Sequence, residues 1–193
     1  MSAIEQFPEI KTERLLLTLP PPACSARLLD YVTENRDHFE PWSPPLPEDY
    51  YTEAYWHNHL QLAREEFGRG QSVRLVLFQR DDPLAEVVGD CNFTAIARGA
   101  FQACYLGYAV DRRAQGQGLM YEALRAAIDY MFSDFKLHRI MANYSPANER
   151  SARLLRRLEF TVEGYARDYL FIAGEWRDHI LTSLTNDKAR ENE

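Results

Sequence analysis

The chain has 193 residues, 46% of them hydrophobic and 12% aromatic, which supplies one substantial core and suits one domain better than two. A formal net charge of −7 excludes a protein that tracks a phosphate backbone through Lys and Arg, so no direct nucleic-acid partner is expected and a basic one is. No uncharged apolar run reaches the roughly eighteen residues of a membrane span, and MSAIEQFPEIKTER lacks the basic and apolar blocks of a secretory signal. The expected setting is cytoplasmic, away from membranes. Cys24, Cys91 and Cys104 show neither metal-site nor disulfide spacing and read as reduced core thiols.

In chain order, 14–19 (RLLLTL) reads as a strand, 24–35 as a helix, and 51–68 as a second helix ending at Gly68. Between the helices, PWSPPLPEDYY is a Pro-rich, aromatic connection, and 34–53 carries Glu34, Asp37, Glu40, Glu48, Asp49 and Glu53 against Arg36 alone. Strands follow at 72–80 and 86–96 around the turn DDP, then at 103–110. Met120, Leu124, Ala127, Ile128 and Met131 give 118–135 an apolar helical face. A strand at 138–144 and a helix at 148–160 precede a hairpin turning at Ala173 and Gly174. The pattern predicts an α/β domain with a mixed sheet.

The turn AVDRRAQGQGLMYEAL carries the chemistry. Gly116 and Gly118 between a strand and a helix N-terminus let backbone N–H groups converge where the helix dipole is positive, which suits a phosphate ester. A Walker loop is excluded because its Lys is missing, and a Rossmann turn because Tyr121 stands where the third Gly belongs. A GxG pair can equally be plain turn chemistry.

RRAQGQG resembles the R/Q-x-x-G-x-G/A signature of the GCN5-related N-acetyltransferases (GNAT), which in that family cradles the pyrophosphate of acetyl-CoA. TERLLL, YLGYAV, NERS with Asn148 and Ser151, EGYARDYL and WRDH fall in the order of its ribosomal-protein N-acetyltransferase branch. RGAFQACYLGY and HRIMANYSPANERS are long matches to the ribosomal-protein-alanine (RimJ) type. The resemblance runs from about Thr12 to Thr185. It implies a single GNAT-type α/β domain, a mixed, mostly antiparallel twisted sheet of about seven strands flanked by about four helices. The expected division is an N-terminal extension 1–11, the acetyltransferase domain 12–186 and a polar tail 187–193.

By the same resemblance, Val110, Gly116, Gln117, Gly118, Leu119, Met120 and Asn148 bind acetyl-CoA, the co-substrate, with no metal. Ser151 is the acid beside the thioester sulfur, and Asp168 takes the amine's proton. A bulge near Tyr108–Val110 is expected to open the strand ladder, with Gly107 as its trace or as a packing glycine. Asn148 also reads as a helix N-cap, with Ser145 competing, and Asp168 also reads as a solvent-facing carboxylate. Arg150, Arg153, Arg156 and Arg157 read as solvated helix surface or as partners of a CoA phosphate. No spacing marks His38, His57, His59, His138 or His179 as a base, and His57 and His59 diverge on their helix. The family's LGF helix ending is here Leu158-Glu159-Phe160, a departure that touches helix termination.

The acceptor expected from this resemblance is the N-terminal Ala or Ser amine at the basic tail of a ribosomal protein, free or on ribosomal particles. Glu40, Trp42 and Tyr50 are the expected substrate contacts, acidic for the tail and aromatic around a short first side chain. An α-amine has a pKa of about 7.7 to 8.0 against about 10.4 for lysine, so a weak base suffices. Lysine, polyamine or another small amine as acceptor, a non-catalytic ribosome-assembly or binding module, and a Cys-nucleophile acyltransferase are the alternatives.

Overall fold

Alternating apolar residues put two faces on the central strands, and each face is covered by helices. The computed structural model describes residues 6–82 and 86–186. Among these, eight strands form one sheet: β1 (Glu9–Lys11), β2 (Leu15–Thr18), β3 (Val73–Gln79), β4 (Gly89–Ala97), β5 (Ala103–Val110), β6 (Arg139–Met141), β7 (Thr161–Ile172) and β8 (Glu175–Thr185). The order is β1-β2-β3-β4-β5-β6-β8-β7, and only β5 and β6 are parallel. The helices are α1 (Ser25–Glu34), the single turn α2 (Arg36–Phe39), α3 (Glu53–Gly68), α4 (Leu119–Ser133) and α5 (Glu149–Arg157).

The expected mixed sheet is thus present, with β1 and α2 as additions. Both are too short to carry a periodic signal. β1 lies within the expected N-terminal extension and pairs with β2, while the polar tail 187–193 lies outside the described residues. The expected turn DDP runs into residue 83, which is also outside them; Asp82 bridges back to Gln79.

Leu75 and Leu77 of β3 with Cys91 and Phe93 of β4 join the larger core, built on α4 through Met120, Ala123, Leu124, Ala127, Ile128 and Met131. On the opposite face, Val76 and Phe78 meet Leu28, Tyr31 and Val32 of α1 and Trp56 and Leu60 of α3 in a second core. Cys91 and Cys104 are fully buried, as core thiols should be.

The sheet opens in its middle. β5 pairs with β4 from Ala103 to Val110, but with β6 only over Ala103–Tyr105. Residues 106–110 therefore have one strand neighbour instead of two, and the gap between β5 and β6 is where the site forms. The expected bulge is placed differently: the β4–β5 irregularity lies between Thr94 and Ala97, with Ala95 at φ 50°. A Cβ at Gly107 would meet nothing within 4 Å, so packing does not demand glycine there. Gly89, opposite Val110, is the constrained one, since a Cβ would lie 2.6 Å from the Ala109 carbonyl oxygen. The β7–β8 hairpin turns at Ala173 and Gly174, and the Ala173 N–H donates to the Ser43 carbonyl at 3.0 Å, pinning its tip to the Pro-rich segment.

Candidate active site

A cleft of about 1480 Å³ runs from the Gly turn, past the end of β5, to the Pro-rich segment and α3. At one end, Gly116 (φ 73°) and Gly118 (φ 77°) take the left-handed conformation that costs glycine nothing. Gly118 is the N-cap of α4 and no side chain caps that helix, so its first N–H groups remain available to a ligand. Val110, Gly116, Gly118, Leu119 and Met120 all line the cleft. This donor set fits a phosphate ester.

Two braces hold the turn. On one side Arg14 donates to the Gln117 carbonyl at 3.0 Å and pairs with Glu122 at 2.7 Å, and the Thr12 hydroxyl donates to the same carboxylate at 2.6 Å. This gives TERLLL its structural purpose. On the other side Asp111 caps the turn at Arg112–Ala114, accepting from the Arg113 N–H at 2.6 Å and from Asn35 Nδ2 at 2.9 Å, while Asn35 Oδ1 accepts from the Arg112 N–H. Arg113 pairs with Asp111, Glu34 and Glu86, so this signature residue faces its own loop. The Gln117 side chain donates to the Arg113 carbonyl and is absent from the cleft lining. A Cβ at Gly118 would meet Arg14 at 3.7 Å, so substitution there acts through backbone strain and the Arg14 brace.

Asn148 is the N-cap of α5: its Oδ1 accepts from the Ser151 N–H at 3.1 Å. Among the described residues its Nδ2 has no partner, and it faces the cleft, so capping leaves a donor for a ligand. Ser151 reaches across the β5–β6 gap to Tyr108, with the two hydroxyl oxygens 2.6 Å apart. Burial pushes the Tyr108 phenol up to about 12 despite this bond, so it stays protonated. Arg150, Arg153 and Arg157 line this end of the cleft and Arg156 does not. Arg150 donates to Gln115, Arg153 pairs with Glu149, and Arg157 lies 3.8 Å over the Tyr121 ring.

Toward α3 the cleft becomes aromatic, with Phe39, Trp42, Tyr50, Tyr55 and Trp56 on its walls. Trp42 and Tyr50 are thus brought to the cleft wall. Glu40, Glu48 and Asp49 are exposed and outside the lining, so the acidic segment forms the outer rim. His38 and His59 also line the cleft, and burial is the main cause lowering both imidazole pKa values, which keeps them neutral at pH 7.

Asp168 is not brought to Ser151. It is exposed on β7 at a register shift between Ala166 and Leu170, with φ 47°, and its N–H donates to Asp178. Two carboxylates line the cleft among the described residues: Glu149 at the start of α5, paired with Arg153, and Asp90 of β4, which accepts from Tyr31 Oη at 3.2 Å and from Asn92 Nδ2 at 2.6 Å. Burial pushes Asp90 up from an ordinary 3.8 to about 6. A buried carboxyl with a pKa near 6 beside a cleft has the properties of a proton acceptor. Sequence spacing gave no sign of it. Cys91 and Cys104 lie outside the lining, and burial raises the Cys104 thiol to about 12, which removes the Cys-nucleophile reading. Among the described residues no helix is long and apolar enough to cross a membrane.

Residues 14–161 match the family described as the acetyltransferase (GNAT) domain. The chain is 46% identical over 176 residues to the [ribosomal protein uS5]-alanine N-acetyltransferase of Escherichia coli K12, covering 91% of this chain and 90% of that one. Among solved structures it resembles the ribosomal-protein-S5-alanine acetyltransferase of Vibrio fischeri, with TM-score 0.88, 34% identity, and coverage of 93% and 97%. It also resembles Mycobacterium smegmatis RimJ in complex with CoA-disulfide, with TM-score 0.85, 26% identity, and coverage of 94% and 88%. The chain belongs to the GNAT acetyltransferase family.

Proposed function

We propose that the protein transfers an acetyl group from acetyl-CoA directly to the N-terminal α-amine, Ala or Ser, of a ribosomal protein. The carrying observation is one continuous cleft with an uncapped helix N-terminus at one end and a desolvated carboxylate among aromatic rings at the other. The E. coli relative, matched over nine-tenths of both chains, supports the acceptor class.

Acetyl-CoA supplies the activated thioester. The amides of Gly116, Gln117, Gly118, Leu119 and Met120 would hold its pyrophosphate, and Val110 and Asn148 its pantetheine arm. Asp90 takes the proton of the α-ammonium, a transfer for which a base near 6 is adequate because the amine titrates at about 7.7 to 8.0. The Ser151–Tyr108 pair supplies a proton to the departing sulfur, with Tyr108 able to refill Ser151. Trp42 and Tyr50 enclose a small first side chain, and the acidic rim of Glu40, Glu48 and Asp49 attracts the basic tail that follows.

Mass spectrometry of ribosomal proteins incubated with the enzyme and acetyl-CoA tests this reading, on free proteins and on assembled particles. The expected product is a single protein gaining one acetyl group at its N-terminus. Acetylation confined to lysine side chains or polyamines would overturn it.

A further inference from the structure

We propose that Arg74 is the acceptor-selecting residue of the cleft: its guanidinium takes the carbonyl oxygen of the acceptor's first residue, so that the site admits α-aminoacyl groups and discriminates against isolated alkylamines. This rests on the acetyltransferase reading of the same cleft.

Arg74 and Val76 are two apart on β3 and share a face, as do Asp90 and Asn92 on β4. The register sets Val76 opposite Asp90 and Arg74 opposite Asn92. Arg74 therefore stands one strand over from Asp90, about 4.8 Å, and one pleat repeat further along, about 7 Å. An arginine side chain bridges that interval, and the two groups are close enough for the Arg74 charge to act on Asp90. Both line the cleft, with His59 and Trp56 of α3 on the wall above them.

The guanidinium is only partly used. Its Nε donates to Glu66 at 3.3 Å, and Glu66 is itself held by the Ser72 hydroxyl at 2.6 Å. Among the described residues neither terminal Nη has a partner, although the side chain is only 28% exposed. Trp56 Nε1, on the same wall, is buried and also without a hydrogen-bond partner. His59 is kept neutral by burial and by Arg74, so Arg74 is the cation of this wall. Beyond the proton acceptor, the cleft thus offers the Arg74 Nη donors with nothing to receive them.

An α-aminoacyl group supplies what is missing, because its carbonyl oxygen hangs one carbon beyond the carbon that bears the amine. A lysine ε-amine is followed by a four-carbon stem and presents only methylenes to Arg74. A site built to hydrogen-bond one group discriminates strongly against an analogue lacking it, since its own donors are then left dry and unpaired.

The test uses three acceptors at pH 8, where Asp90 is ionised: a peptide beginning with Ala and lacking Lys, the same peptide α-blocked with one Lys added, and butylamine. The wild type should favour the first by about 100-fold or more in kcat/KM. Arg74→Met should raise KM for that peptide about 10-fold or more and leave KM for the other two nearly unchanged, while any change in kcat through Asp90 is shared by all three, so that selectivity collapses; Arg74→Lys should recover part of it. Calorimetry with acetyl-CoA reports whether each variant is folded, and Arg74→Gln, which keeps a donor, replaces the Met variant if that one fails to bind. Equal losses with all three acceptors, or undiminished selectivity in a folded Arg74→Met protein, would overturn the assignment. A wild type that acetylates only the lysine peptide defeats the α-amine reading itself, a different result.

Discussion

Asp90→Asn separates activity from stability. Carrying a carboxyl from 3.8 to about 6 means that its ionised form costs the fold at most about 3 kcal/mol at neutral pH. Because the folded pKa is raised, the wild-type protein should lose this stability as pH climbs from about 4 to about 6, and the Asn variant should not. Asn keeps an acceptor for Tyr31 but sets its amide against that of Asn92, so the net gain at pH 8 should be about 1 to 2 kcal/mol. A domain of this length would then melt about 2 to 8 °C higher. Activity should move the other way, because positioned general bases contribute about 10²- to 10⁴-fold. Thiol release from acetyl-CoA, followed from pH 5 to 9 with an Ala-initiated peptide, should show a limb near pH 6 in the wild type and none in the variant. A variant with wild-type kcat/KM, or one that keeps the limb, refutes the assignment of Asp90 as base.

Three other substitutions bear on the frame. Gly89→Ala places a Cβ 2.6 Å from a backbone oxygen that cannot yield like a side chain, so it should cost about 1 to 3 kcal/mol in urea unfolding and weaken acetyl-CoA binding through the shifted end of β5. Glu159 ends α5 at φ 67°, and Glu159→Gly should stabilise by about 1 kcal/mol, read as a higher Tm with kcat unchanged. Ser151→Ala should lower single-turnover rates about 100-fold with acetyl-CoA affinity nearly intact, and Tyr108→Phe should share part of the defect. Wild-type single-turnover rates in both would remove the hydroxyl pair from the mechanism.

What the sequence made legible is what local geometry forces. Gly116 and Gly118 announce a positive-φ turn because few other residues tolerate it, and α4 announces itself through five apolar positions at helical spacing, all of them buried. Asn148 is legible as a cap because its short side-chain oxygen can accept from an N–H of the first helical turn. Asp90 was not, because GDCNFTAI reads as an ordinary alternating strand and both its burial and its hydrogen bond from Tyr31 of α1 depend on packing remote in sequence. Tyr108 and Ser151 are separated by 43 positions, and only the splay of β5 from β6 brings them together. Asp168 shows the opposite case, since the structure leaves it exposed on β7 and outside the cleft lining. A motif match in a segment that carries a register shift transfers sequence position without transferring the side chain's place in space.

The carboxylates around the cleft divide the work between rigidity and chemistry. Burial pushes Asp111 and Glu122 upward, but hydrogen bonds outweigh it, from Arg113 and Asn35 in one case and from Thr12 and Arg14 in the other, and both end below the ordinary carboxylate range. Depressed pKa values contribute stability that is present above the unfolded pKa and is lost as pH falls through the folded one, so the two braces hold the Gly turn across the pH range in which the enzyme works. Asp90 has two neutral donors in place of an ion pair, and its ionised form burdens the fold. That asymmetry is what the proposed reaction requires. Backbone donors can receive a phosphate without reorganising only if their loop is fixed beforehand, whereas a base is useful only if its charged form gains by accepting a proton. The stability held in the Asp111 and Glu122 networks offsets the strain of keeping Asp90 reactive.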